Sequence, residues 1–104
     1  MILPDFLGKL NQDIINYYGM PNQVNQLMEE CGELISASNH YLRSCGSDRR
    51  SRFLAEENLK AEMVDVLVVL DQILRRMAVT PEVLNFMAEQ KVNRQLARIK
   101  NGGK

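Results

Sequence analysis

The sequence is short of the residues that build the commoner metal and covalent sites. It holds two cysteines, Cys31 and Cys45, and one histidine, His40. The cysteines form no CxxC pair and His40 is the only imidazole near them, so neither a zinc site nor a disulfide framework is suggested. Both thiols are expected to be reduced. An excess of one charge is also missing: 13 basic and 13 acidic residues leave a formal net charge of +0. That removes the simplest electrostatic argument for binding nucleic acid or an anionic membrane. No apolar run approaches the roughly eighteen residues of a spanning helix. The opening MILPDFLGKL lacks a basic lead and a small-residue cleavage pattern, so a cytoplasmic protein is expected.

Linkers and repeats are missing too. No composition shift or Pro/Gly-rich stretch divides the 104 residues, and residues 1–104 read as a single domain. A domain of this length buries only about two-thirds of its chain surface, so long helices with apolar flanks gain stability by pairing with a second copy. A homodimer or homotetramer is the expectation.

What is present is helical periodicity, with all three prolines placed where helices can begin. The fold class expected is all-α, a four-helix, bundle-like arrangement. The first helix is read from Pro4 to Tyr18, stopped by Gly19. The second starts near Pro21, ends near Arg43 and places Val24, Leu27, Met28, Cys31, Leu34, Ile35, Ser38 and Leu42 on one stripe. Residues 44–51, SCGSDRRS, read as a loop. A third helix from about Arg52 to Met77 is so apolar that burial nearly all round is expected. Thr80-Pro81-Glu82 then supplies an N-cap, a first-turn proline and an acid at the positive end of a fourth helix. That helix runs to about Lys100, and Asn101-Gly102-Gly103 ends it.

Two acidic pairs interrupt these patterns. Glu62 and Asp65 sit in KAEMVDVLVVLDQIL, where the neighbours predict burial, and a buried unpaired carboxylate costs several kcal/mol. Their three-residue spacing puts both on one side of the helix, with Cβ atoms roughly 5–6 Å apart. Glu30 and Glu33 repeat the step beside the apolar stripe of the second helix, and Gly32 between them permits close approach. If the two helices pack antiparallel, four carboxylates converge. Hard oxygen donors without cysteine or histidine suit magnesium, or manganese as a substitute, and disfavour zinc. The plainer explanation is a solvated helix edge satisfied by Lys60, Arg75 or Arg76.

The motif EExxE, present as Glu29-Glu30-Cys31-Gly32-Glu33, followed by ExxD, present as Glu62-Met63-Val64-Asp65, resembles the signature of the all-alpha NTP pyrophosphatase superfamily, of which MazG is the best-known member. The resemblance extends from about Val24 to Lys100 and includes the basic ending QKVNRQLARIKNG, similar to short phage and prophage MazG-like proteins. It implies that Glu30, Glu33, Glu62 and Asp65 hold Mg2+, and that a nucleoside triphosphate is hydrolysed between its α and β phosphates to a monophosphate and pyrophosphate. Glu29 and Glu33 are then the candidates for handling the attacking water.

Phosphates also need cations. Lys91, Arg94 and Arg98 stack along one face of the last helix, with Asn93 beside them, and that face is expected to close over the substrate; basic residues in a last turn also simply complement the helix dipole. Arg49, Arg50 and Arg52 read as a solvated cluster, and His40 as a helix-surface residue. Tyr17, Tyr18 and Asn22 are further candidates for a base or sugar contact, against plain packing near a helix end. Three other readings compete. Phosphoribosyl-ATP pyrophosphatase belongs to the same superfamily. A di-iron carboxylate bundle needs Glu-x-x-His pairs, and Ala37 stands three residues before His40. A non-catalytic interaction module would leave magnesium without effect.

Overall fold

The computed structural model describes residues 3–102, and among these there are four helices and no strand. Helix α1 spans Asp5–Tyr18, α2 Met20–Ser44, α3 Arg49–Arg76 and α4 Pro81–Lys100. The expected boundaries of α1, α2 and α4 hold to within a residue or so. Gly19, at φ 83°, occupies the left-handed region and separates α1 from α2. Gly103 lies outside the described residues.

The loop between α2 and α3 is shorter than the composition suggested. Asp48 caps α3, its Oδ1 accepting the Ser51 amide hydrogen at 2.8 Å and its Oδ2 the Ser51 hydroxyl at 3.1 Å. Arg49 and Arg50 are therefore in the first turn of a helix. The same amide bond holds the Asp48 carboxyl below its ordinary value. Thr80 caps α4 as anticipated, accepting from the Val83 amide at 3.2 Å.

The tight loop folds α2 back along α3 in an antiparallel register. Gln23 meets Gln72, Glu33 and Glu62 share one cleft, and Tyr41 and Phe53 share another. Ala37 and Ala55 are buried in this hairpin, and side chains of that size let two helices approach closely. Helix α1 crosses the far end of α3. Gly8 lies against the Arg75 guanidinium, where a Cβ would overlap it, and Ile15 is fully buried.

Polar side chains hold the three helices in register. Gln23 Nε2 donates to Gln72 Oε1 at 2.6 Å, Gln72 Nε2 to Asn11 Oδ1 at 3.0 Å, and Asn11 Nδ2 to Asp71 Oδ2 at 2.8 Å. Arg75 Nε closes the chain on the same Asp71 oxygen at 2.8 Å. Asn11, Gln23, Asp71 and Gln72 are all buried. Such a network is satisfied only when α1, α2 and α3 are in their mutual register, so it selects one packing among those an aliphatic interface would permit.

Helix α4 stands apart: none of its residues has a Cα within 8 Å of one in α1, α2 or α3, and none is buried. Its direction is set after α3, where Ala78 takes a left-handed φ of 57° that costs an alanine about 1–2 kcal/mol. The expectation that α3 is buried nearly all round also fails, with Met63 and Val64 about half exposed. On α2, Val24, Met28, Ile35 and Leu42 lie open while their stripe neighbours Leu27, Cys31 and Leu34 are partly covered. The chain thus exposes 7955 Å² and has a radius of gyration of 16.8 Å. A compact monomer of 11.9 kDa would expose about 5,900 Å² and have a radius near 13 Å, by the usual scaling with chain length.

Candidate metal centre

The two acidic steps do converge. Glu30 and Glu33 on α2 face Glu62 and Asp65 on α3, and one carboxylate oxygen from each of the four lies within 4.8 Å of all the others. The antiparallel register of the hairpin brings this about. Each pair repeats at three residues, so both point from one face of their helix into the same gap.

Burial within the cluster differs from expectation. Asp65 is exposed and Glu62 only partly covered, because α3 turns this edge to solvent despite its apolar sequence. The buried carboxylate of α3 is Asp71, which the sequence reading passed over. What makes the cluster unusual is finer: Glu30 Oε2 and Glu62 Oε2 are both buried without a hydrogen-bond partner among the described residues. Glu30 Oε1 accepts from Gln26 Nε2 at 2.7 Å, which orients its carboxylate. Buried oxygens of this kind carry a desolvation cost that only a cation or a donor offsets.

The nearby basic residues do not supply it. Lys60 pairs with Glu56 and Glu57 at 3.8 and 3.0 Å, and Arg75 with Asp71. No ion pair among the described residues reaches Glu30, Glu33, Glu62 or Asp65, which weakens the solvated-edge explanation. Glu33 registers the crowding. Repulsion from Glu30, then from Glu62, holds its carboxyl above the ordinary 4.5, with slight desolvation and hydrogen bonding to the same two neighbours acting in the same direction.

The sign of the resulting pH dependence follows from linkage. The folded chain binds the Glu33 proton more tightly than the unfolded chain. Without metal, the Glu33 contribution to stability is therefore fully present below 4.5 and lost as pH rises through the higher folded value. Asp48 acts in the opposite direction, below 3.8. Melting temperatures in chelator are expected to fall, relative to Glu33→Gln, as pH rises above about 4.5, and millimolar Mg2+ should reverse the difference, because only the wild type keeps the full ligand set. Parallel pH profiles for the two proteins would contradict this.

Glu29 is not in the cluster. It is exposed and lines a separate cleft of about 460 Å³ with Tyr18, Asn22, Gln23, Asn25 and Gln26. Tyr18 stacks edge-on with Tyr17 at 4.9 Å, and its carbonyl accepts from Asn22 Nδ2 at 2.8 Å. Gln26 thus reaches from this cleft to Glu30. Lys91, Asn93, Arg94 and Arg98 are exposed on α4, and within one chain that helix packs against none of the elements carrying the acids. The basic face that was expected to close over the site is not brought to it.

No protein family, no curated protein and no solved structure gives a match to this chain.

The cluster itself defines what the site can bind. Four carboxylates whose nearest oxygens lie within 4.8 Å of one another, with no nitrogen or sulfur donor, are a donor set of the kind a hard divalent cation takes.

Proposed function

We propose that the chain is a magnesium-dependent nucleoside triphosphate pyrophosphohydrolase, with Glu30, Glu33, Glu62 and Asp65 holding the metal and manganese able to substitute. The observation that carries this reading is the convergence of the four carboxylates, two of them with a buried oxygen that nothing among the described residues satisfies. Bound magnesium would supply neutralisation of the triphosphate and polarisation of its α-phosphoryl group. Glu30, anchored by Gln26, and Glu62 present the buried oxygens, while Glu33 and Asp65 stand on the open side, within reach of substrate and water. A water oxygen forms the new bond to the α phosphorus, the α–β bridging bond breaks, and pyrophosphate departs with the electron pair. Glu33 would take the water's proton, in preference to Glu29, which lies outside the cluster. A housecleaning activity on the cytoplasmic nucleotide pool fits the reaction.

The test is pyrophosphate release from a panel of canonical and modified deoxynucleoside triphosphates, with phosphoribosyl-ATP as a further substrate, in magnesium and in chelator. Magnesium-dependent release from at least one triphosphate is the expected result. An interaction module would show none, and no magnesium-induced shift in melting temperature either.

The reading includes self-association. The open stripe of α2 and the unpacked α4 leave roughly 2,000 Å² more surface exposed than a compact chain would, and per protomer that is the scale of an obligate interface. Light scattering is expected to give at least twice the 11.9 kDa chain mass. Met28→Glu with Ile35→Glu should reduce it to the monomer; a wild-type monomer at micromolar concentration would contradict the assembly.

A further inference from the structure

The cations that the sequence suggested for α4 have counterparts on α2. From Glu33, the residues Ser36, His40 and Arg43 follow at steps of three, four and three, which keeps them on one helical face. All three line a cleft of about 260 Å³ whose other wall is Asn58 and Glu62 of α3. Two members of the acidic cluster, Glu33 and Glu62, thus form one end of the cleft. A helical rise of 1.5 Å per residue puts the Arg43 backbone about 15 Å beyond Glu33, and helical side chains lean toward the N-terminus. Arg43 therefore stands toward the end of the cleft away from the acids, its side chain leaning back along α2 toward them.

These donors are uncommitted. Arg43 makes no ion pair among the described residues, where the salt bridges belong to Lys60 and Arg75. Ser38 and Ser44 spend their hydroxyls on carbonyls of their own helix, at 2.7 Å each. Ser36, His40 and Asn58 make no side-chain hydrogen bond among the described residues. The result is a small cleft with carboxylates at one end and unpaired donors along the rest. Its volume is below the range of about 300–1,000 Å³ typical of pockets for drug-sized organic ligands, and suits a compact inorganic group.

The geometry points to this cleft as the seat of the pyrophosphate leaving group, with Arg43 as its principal cation and Ser36, His40 and Asn58 as hydrogen-bond donors. The inference rests on the metal reading above, because only a cation held by the acidic cluster would make that end compatible with a polyanion. The β and γ phosphates then extend from the metal cluster along α2, and the nucleoside is left toward the opposite side.

Calorimetric titration of the full chain with inorganic pyrophosphate, in magnesium and in chelator, tests it. Binding that requires magnesium is expected, weakened about tenfold or more in Arg43→Ala, partly restored in Arg43→Lys, and unchanged in Arg76→Ala on the exposed end of α3. Magnesium affinity measured without pyrophosphate should stay the same in Arg43→Ala, and its circular dichroism should match wild type. Equal pyrophosphate affinity in wild type and Arg43→Ala overturns the cleft assignment while leaving the metal centre in place. So does a wild-type chain that binds magnesium and hydrolyses triphosphates without binding pyrophosphate. A wild-type chain that binds no magnesium overturns both.

Discussion

Replacing Glu62 by glutamine or Glu33 by alanine is expected to lower magnesium-dependent pyrophosphate release at least about 100-fold, since even residues behind the metal ligands commonly cost 10–100-fold. Glu62→Gln is the sharper variant. It keeps the shape of the side chain and removes the charge from an oxygen that is buried and unpartnered. With the metal bound, that oxygen is satisfied; without it, glutamine relieves the desolvation of a carboxylate. The metal-free variant should therefore melt no lower than wild type, while losing the stabilisation that magnesium confers. For a ligand at 100 times its dissociation constant that stabilisation is about 2.7 kcal/mol. Asp65→Ala, at the exposed edge, should lose activity with a smaller effect on metal-free stability. Full activity in both Glu33→Ala and Glu62→Gln would sink the assignment.

The second large effect concerns the polar network rather than the metal. Arg75→Ala is expected to destabilise the chain by about 3–5 kcal/mol, because it strips Asp71 of its cation while that carboxylate stays buried. Asp71 would keep only the Asn11 amide on Oδ2, while its Oδ1 already lacks a partner. The paired replacement Asp71→Leu with Arg75→Met should cost much less than the sum of the single changes, since it removes both ends of the ion pair. Urea unfolding of the four proteins gives the coupling directly. Additive effects would mean that the 2.8 Å contact contributes nothing to stability. The double variant tests a further point: loss of cooperativity without loss of stability would show that the network serves to select the register.

The site was legible because its spacing repeats. Glu30 to Glu33 and Glu62 to Asp65 are both three-residue steps, and a helix converts such a step into a shared direction whatever surrounds it. Burial was not legible in the same way. The apolar run Met63 to Leu70 made Asp65 look interior, yet Met63 and Val64 beside it are open, because a helix in a chain this small has too few neighbours to cover it. Asp71, Asn11, Gln23 and Gln72 gave no sequence signal as a group. They are separated by up to 61 residues, and hydrogen bonding between them depends on how three helices cross. Asp48 did carry a signal: an acid followed three residues later by serine, at the start of a helical pattern, is an N-cap pair, and reading it would have placed the first turn of α3 correctly.

His40 and Arg43 show the same limit from the other side. Viewed along the sequence, one is an unpartnered histidine and the other the end of a helix. Only the hairpin, by laying Asn58 and Glu62 opposite them, makes a cleft. The reverse holds for Lys91, Arg94 and Arg98, which stack as the helical spacing requires but on a helix that does not pack against α1, α2 or α3.

By itself, then, the sequence determined what depends on neighbours a few residues away: four helices, their caps, and the paired direction of each acidic step. The tertiary structure decided which faces meet. It brought the four carboxylates together, left Asp65 open, buried Asp71 and kept α4 apart. Local spacing acts through backbone geometry that every helix shares, whereas burial depends on how much surface the remaining elements can cover, and a chain with this little core leaves much of it bare.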